Sequence, residues 1–221
     1  MTVYLNNNVS IEKVRDSYKL IIKNYSLFTK YYNYLLDSIP NIEQNKLIKE
    51  NKEIIFKCNN IEKINKKNIN SLRHIDFENF FMWFGNMIDI LEKDKHSLLF
   101  IDIEDFLIIN LNNDEKILLF LNSDKFLKLN DSKIEIETPF SKKNLFLSPE
   151  LYKVDKIPTK IDKKSIFYSI AVFITHCLNN ISDIKDIDFE KQLESIKNTK
   201  LYFALIRCLN VNIKNRFYLY I

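Results

Sequence analysis

Thiols, imidazoles and glycines carry much of catalytic and metal chemistry, and this chain uses them sparingly. Its three cysteines, Cys58, Cys177 and Cys208, are odd in number and show no CxxC spacing. Two of them lie inside apolar helical patterns, which points to buried free thiols in a reducing compartment. The three histidines, His74, His96 and His176, are scattered without metal-ligand spacing. Gly85 is the only glycine. Any mechanism that needs several glycines, such as a flexible backbone loop around phosphates, is therefore excluded. Tyr18, Tyr25, Tyr31 and Tyr32 invite stacking on nucleic acid. Aromatics at helical spacing are more often core, and no basic groove accompanies these. Net charge is +4, with Lys and Asp/Glu mixed along the chain. Phosphate recognition wants basic residues clustered on one face, so a nucleic-acid partner is not expected.

The 221 residues, 46% of them hydrophobic, fit one domain or one domain with an added part. The start, MTVYLNNNVSIEK, lacks the apolar run of a secretory signal. The longest apolar run, Ile166 to Leu178, contains Ser169, Thr175 and His176. It falls short of the roughly 20 residues that cross a bilayer. The expectation is a soluble intracellular protein of the cytoplasm, without a membrane span.

The elements that must position any site read as follows. Residues 1–8 suit a short strand closed by Asn6-Asn7-Asn8. From Ser10 a helical pattern begins, with Val14, Tyr18, Ile21, Ile22, Tyr25, Phe28, Tyr31, Tyr32, Leu35 and Leu36 at three- and four-residue intervals. It predicts one long or two broken helices ended by Pro40. Residues 41–52 read as a loop or exposed helix end, Glu53–Cys58 as a short buried strand, and 59–75 as a loop and domain boundary. Asp76 caps a helix over 77–94, in whose interior Gly85 implies close packing of another backbone. Short strands follow at 97–101, 106–110, 117–122 and 126–129, with turns at 110–113 and 122–125. The stretch SKIEIETPF alternates like an edge strand. Ser165–Asn179 is apolar on nearly every side and predicts a central helix. A small helix spans 189–196, Thr199 caps another to Leu209, and 213–221 is a last short helix or tail. The layout is α+β and mostly helical, with an N-terminal part at 1–75 and a second part at 76–221.

The order of these elements resembles a protein-kinase C-terminal lobe over residues 77–216. The helix at 77–94 stands where that family's long helix precedes the catalytic loop, HSLLFIDIEDFLIIN stands where the loop and its strand lie, and ILLFLNSD where a strand runs into Asp-Phe-Gly. Leu147-Ser148-Pro149-Glu150 resembles the Ala-Pro-Glu that closes the activation segment, and Tyr168-Ser169-Ile170-Ala171 the aromatic-Ser-Leu-Gly of the central helix. Arg207-Cys208-Leu209 followed by Arg216 resembles the last helices, whose arginine pairs with the Ala-Pro-Glu glutamate. The Ile/Lys/Asn-rich, Gly-poor style is similar to kinase-like proteins of large DNA viruses.

What the resemblance implies is a protein-kinase-like C-terminal lobe with a reduced or replaced N-terminal lobe, and chemistry that has been largely lost. Phosphoryl transfer needs phosphates held by a backbone loop, a lysine to neutralise them, carboxylates for Mg²⁺ and an Asp for the hydroxyl. No Val-Ala-Ile-Lys-like strand is visible, and Lys57 is the nearest lysine at a strand end, as a nucleotide contact. Asp105 falls on the metal-binding Asn, and Phe100 on the catalytic Asp, with Asp102 close by. Asn122 falls on the Mg²⁺-binding Asp, with Asp124 two residues later and no Gly beyond. Ser165-Ile166 stand where the central helix has its Asp. Glu150 and Arg216 are expected to form a structural, partly buried pair. The resulting expectation is a catalytically impaired kinase-like protein that binds a protein partner, with no cofactor. One alternative is an active Ser/Thr kinase using ATP and Mg²⁺ with Asp102 or Asp105 as catalytic residue and Asp105 and Asp124 on the metal. The other is a viral structural or interaction protein without nucleotide binding.

Overall fold

The computed structural model describes residues 2–65, 68–111, 114–179 and 188–220. Along these residues run β1 (Thr2–Leu5), β2 (Val9–Val14), β3 (Ser17–Ile22), α1 (Thr29–Asp37), β4 (Ile42–Ile48), β5 (Asn51–Phe56) and β6 (Asn60–Lys63). Then come α2 (His74–Lys93), β7 (His96–Ser97), β8 (Phe106–Asn110), β9 (Lys116–Phe120), β10 (Leu127–Asn130) and β11 (Lys133–Ile136). The rest is α3 (Pro149–Tyr152), β12 (Thr159–Asp162), α4 (Ser165–Asn179), α5 (Phe189–Gln192) and α6 (Lys200–Cys208). The strands form sheets of five, four and three, antiparallel at every pairing.

The fold is thus α+β but not mostly helical: helix takes up 39% and strand 28% of the described residues. The correction lies at the N-terminus. Residues 10–22, expected in a helix, belong to the hairpin β2–β3, with Ile11 opposite Leu20 and Val9 opposite Ile22. Tyr18, Leu20 and Ile22 are buried on one face of β3. The same apolar residues also satisfy three- and four-residue spacing, so periodicity alone was ambiguous across the turn. That turn carries no glycine; Arg15 adopts φ 56° in its place. Nine non-glycine residues among those described have positive φ, including Asn24, Asn41, Lys49 and Asp131. Each costs on the order of 1 kcal/mol, and each hides a turn from a reader looking for Gly. Residues 41–52, expected as a loop or helix end, hold β4 and the start of β5. Every residue of β4 is exposed, so its sequence lacks alternation. Within 59–75, read as loop, Asn60–Lys63 is β6.

Contacts group the residues into two compact units, Met1–Asn65 with Glu104–Lys125 and Lys66–Ile103 with Phe126–Ile221. The first contains the sheet β1-β2-β3-β5-β4 and the sheet β6-β8-β9. Its core takes Leu20, Ile54 and Phe56 from the larger sheet, Tyr31, Tyr32 and Leu35 from α1, and Phe106, Leu107, Leu119 and Phe120 from the smaller. In the β8–β9 pairing Phe106 faces Phe120. That register sets the residue before β8 beside the residues after β9.

The second unit contains the sheet β12-β11-β10-β7 and helices α2 to α6. Helix α2 starts two residues before Asp76, which occupies the third helical position and accepts from Arg73 N at 2.7 Å. Helix α4 is buried on most sides, as expected of a sequence without a polar face. The rings of Phe80 on α2 and Phe173 on α4 meet edge to face at 5.9 Å. Gly85 does not admit another backbone. A Cβ there would lie 2.5 Å from the ring of Tyr218, which stacks on Phe81 at 4.1 Å. Thr199 caps α6, its Oγ1 accepting from Tyr202 N at 3.2 Å. Beyond it, Ile213–Asn215 is a single 3-10 turn and 217–220 are non-helical. Parts of the turn expected at 110–113, and residue 221, lie outside the described residues.

Candidate functional site

The densest polar constellation in the first unit surrounds residues 120–125. Asp105 ends the approach to β8, and the β8–β9 register brings Leu121 N to its carbonyl at 3.0 Å. Its side chain is 3% exposed as a residue. A buried carboxylate needs partners: Lys125 Nζ donates to Asp105 Oδ2 at 2.6 Å and Asn122 Nδ2 to Oδ1 at 2.7 Å.

The turn between β1 and β2 fastens onto the same stretch. Asn6 Oδ1 accepts from Asn8 N at 2.9 Å and Val9 N at 2.5 Å, an arrangement that short amide side chains favour in turns. Asn6 Nδ2 donates to Leu121 O at 3.3 Å and to Tyr4 Oη at 3.1 Å. Asn8 Nδ2 reaches Ser123 Oγ at 3.3 Å and Asp124 Oδ1. Helix α1 adds two phenols: Tyr31 donates to Phe120 O at 2.6 Å, and Tyr32 Oη bonds Ser123 Oγ at 2.8 Å. Burial pushes the Tyr4 phenol up to about 12, the carboxylates of Asp105 and Asp124 adding to it against the Asn6 hydrogen bond. Burial also holds the Tyr31 phenol well above its ordinary range. These hydroxyls remain neutral at physiological pH, as structural hydrogen-bonding groups.

The chemistry open to this constellation is narrow. A divalent cation at Asp105 would have to displace the Lys125 ammonium, and Asp124 is engaged by Asn8. Among the described residues no group of three or more His, Cys, Asp or Glu side chains is placed to hold a metal ion. Lys57 is exposed and pairs with Glu43 at 2.7 Å. The Glu43 hydrogen bond, then its charge, raise the Lys57 pKa. Asp102 belongs to the second unit and is partly exposed. The structure therefore brings Asp105 and Asp124 to one stretch, gives each a different donor, and gives Lys57 a third partner.

Several residues here escaped the sequence reading. Asn6 and Asn8 read only as a strand end, and Tyr31 and Tyr32 only as helix core.

In the second unit, Arg216 is fully buried. It donates from Nη1 to Glu150 Oε1 at 2.6 Å and from Nη2 to Oε2 at 3.0 Å, the two-point geometry that makes guanidinium–carboxylate pairs strong. Its Nε also donates to Asn210 O at 2.6 Å, and its plane lies 4.9 Å from the Tyr168 ring centre. Glu150 accepts from Ser165 Oγ at 2.8 Å, and Ser165 bonds Ser148 Oγ at 2.5 Å. Burial pushes the Glu150 carboxyl up, but the hydrogen bonds and charge of Arg216 outweigh it and leave the pKa lowered. This group ties α3, the start of α4 and residues 210–216 together. Its donors are spent internally, so its work is structural.

No helix of the described residues is long and apolar enough to cross a membrane. No protein-family model matches the chain, and no curated protein matches it.

Proposed function

We propose that the chain is a catalytically impaired, protein-kinase-like protein that works as a protein-binding or regulatory module. The observation that carries this reading is the fastening of the Asn6–Asn8 turn to Leu121, Ser123 and Asp124. A phosphate loop must stay open and present backbone N–H groups to its ligand. Here the side chain of Asn6 occupies the N–H groups of Asn8 and Val9. The carboxylate at 105 is neutralised by Lys125 and that at 124 accepts from Asn8, which supports a loss of metal binding at the positions the resemblance implies. The active-kinase alternative has no comparable observation in its favour.

The test is a thermal-shift titration of the full chain with ATP, with and without Mg²⁺. A ligand at 100 times its Kd stabilises the native state by about 2.7 kcal/mol, which moves a melting point by several degrees. The expected result is no Mg²⁺-dependent rise. A reproducible rise that disappears in Asp105→Ala or Asp124→Ala would overturn the proposal and restore a nucleotide-using enzyme.

A further inference from the structure

The five-stranded sheet ends at β4, whose outer edge pairs with no described strand. Among the described residues β4 pairs only with β5, and all seven of its residues are exposed. Natural sheet edges are commonly blunted by shortness, proline or charge. This strand is the longest of the twelve described and contains no proline; Glu43, Lys46 and a register shift between Ile42 and Gln44 restrict which strand can add to it, and Leu47 is 61% exposed. Its unpaired backbone groups form a template for one more strand.

The register says what that strand should carry. On the solvent face, Lys19 of β3 bonds Glu53 of β5 at 2.8 Å, and Glu53 stands directly opposite Lys46 of β4. Charge therefore alternates outward across the sheet as plus, minus, plus. Glu43, the other charge of β4, is taken by Lys57 at 2.7 Å and accepts from Ser17 at 3.2 Å. Lys46 makes no ion pair of its own with a described residue and is the outermost charge of the row. On the opposite face, Asn45 and Leu47 stand beside Ile54 and Lys52, where the buried side of β5 continues onto an uncovered strand.

We propose that β4 is a docking edge for an extended segment of a partner protein, acidic on one face and aliphatic on the other. An acidic residue opposite Lys46 continues the alternating charge row, and an aliphatic neighbour covers Leu47. A second copy of this chain is the competing occupant, and the test below separates the two. The inference rests on the binding-module reading and names that module's class of partner.

The test uses the full chain and two blocked, dye-labelled peptides, Val-Glu-Val-Glu-Val-Glu-Val and Val-Lys-Val-Lys-Val-Lys-Val, titrated by fluorescence anisotropy. The acidic peptide is expected to bind and to slow amide exchange in β4. Cross-strand charge pairs contribute up to 1 kcal/mol, so it should bind about fivefold tighter than the basic one. Lys46→Glu, on an exposed side chain whose loss leaves the circular dichroism unchanged, should reverse the preference. N-methylation at alternate positions of the acidic peptide should abolish binding by removing its edge donors. Equal affinity for the two peptides, no binding of either, or a preference unmoved by Lys46→Glu overturns the proposal. So does a solution dimer that the acidic peptide fails to dissociate. The nucleotide titration is read separately: a chain that binds Mg²⁺-ATP and the acidic peptide loses the first reading and keeps this one.

Discussion

Gly85→Ala isolates the packing of the C-terminal strap on α2, because two effects of opposite sign compete there. Alanine is the better helix former by about 1 kcal/mol in a helix interior. Against that, the new Cβ would lie 2.5 Å from Tyr218 Cε1 and 3.0 Å from Cδ1, so the ring must move. Moving it gives up the parallel stack on Phe81, at 4.1 Å and 5°, worth about 1 kcal/mol. It also gives up the bond from Tyr218 Oη to Phe81 O at 2.6 Å, worth about 1 kcal/mol. Re-exposed ring surface adds about 1 kcal/mol more. The losses win, and Gly85→Ala should destabilise the chain by about 2 kcal/mol. The assay is urea unfolding followed by the fluorescence of Trp83, the only tryptophan, two residues away on the same helix. In a Tyr218→Ala background the clash is gone. There Gly85→Ala should stabilise by about 1 kcal/mol, a coupling of about 3 kcal/mol between the two sites. A stabilising Gly85→Ala in the otherwise unchanged chain, or the same effect in both backgrounds, would refute the argument.

Three further outcomes follow from the two polar groups. Arg216→Met leaves Glu150 without its main partner and should cost about 3 kcal/mol in urea unfolding, part of which Glu150→Gln in the same chain restores by removing the stranded charge. Glu150 has a folded-state pKa below its ordinary 4.5, so its contribution is fully present above that value and is lost as pH falls through the folded-state pKa; Glu150→Gln should flatten the acid limb of a stability–pH curve below about pH 4.5. Asn6→Ala frees the N–H groups of Asn8 and Val9 and should cost about 1–2 kcal/mol, read as faster amide exchange at those two positions while β8 and β9 keep their protection.

Legibility in the sequence followed the degree of burial. Helix α4 was readable to its ends because a run with no polar face has one solution, a helix inside the core. Strand β8 was equally plain, being buried throughout its first four residues. Elements half in water were not. The β2–β3 hairpin carried apolar residues that suit both periods, and β4, exposed on both faces, carried no period at all. The turns that would have decided between the readings are made by Arg15, Lys49 and Asn41 rather than by glycine.

The candidate site divides in the same way. Sequence alone determined that no glycine loop could hold phosphates, since a chain with one glycine cannot build it. It also supplied the residue types of the Glu150–Arg216 group, whose opposite charges and flanking motifs are local facts. Tertiary structure decided what the carboxylates do. Asp105 and Asp124 are 19 positions apart, and only the register of β8 against β9 brings them to one stretch. Their donors come from Asn8 in the first turn of the chain and from Asn122 and Lys125, partners that no spacing rule connects. Whether a carboxylate is open to a metal depends on which cation or amide reaches it first, and that is settled by long-range packing.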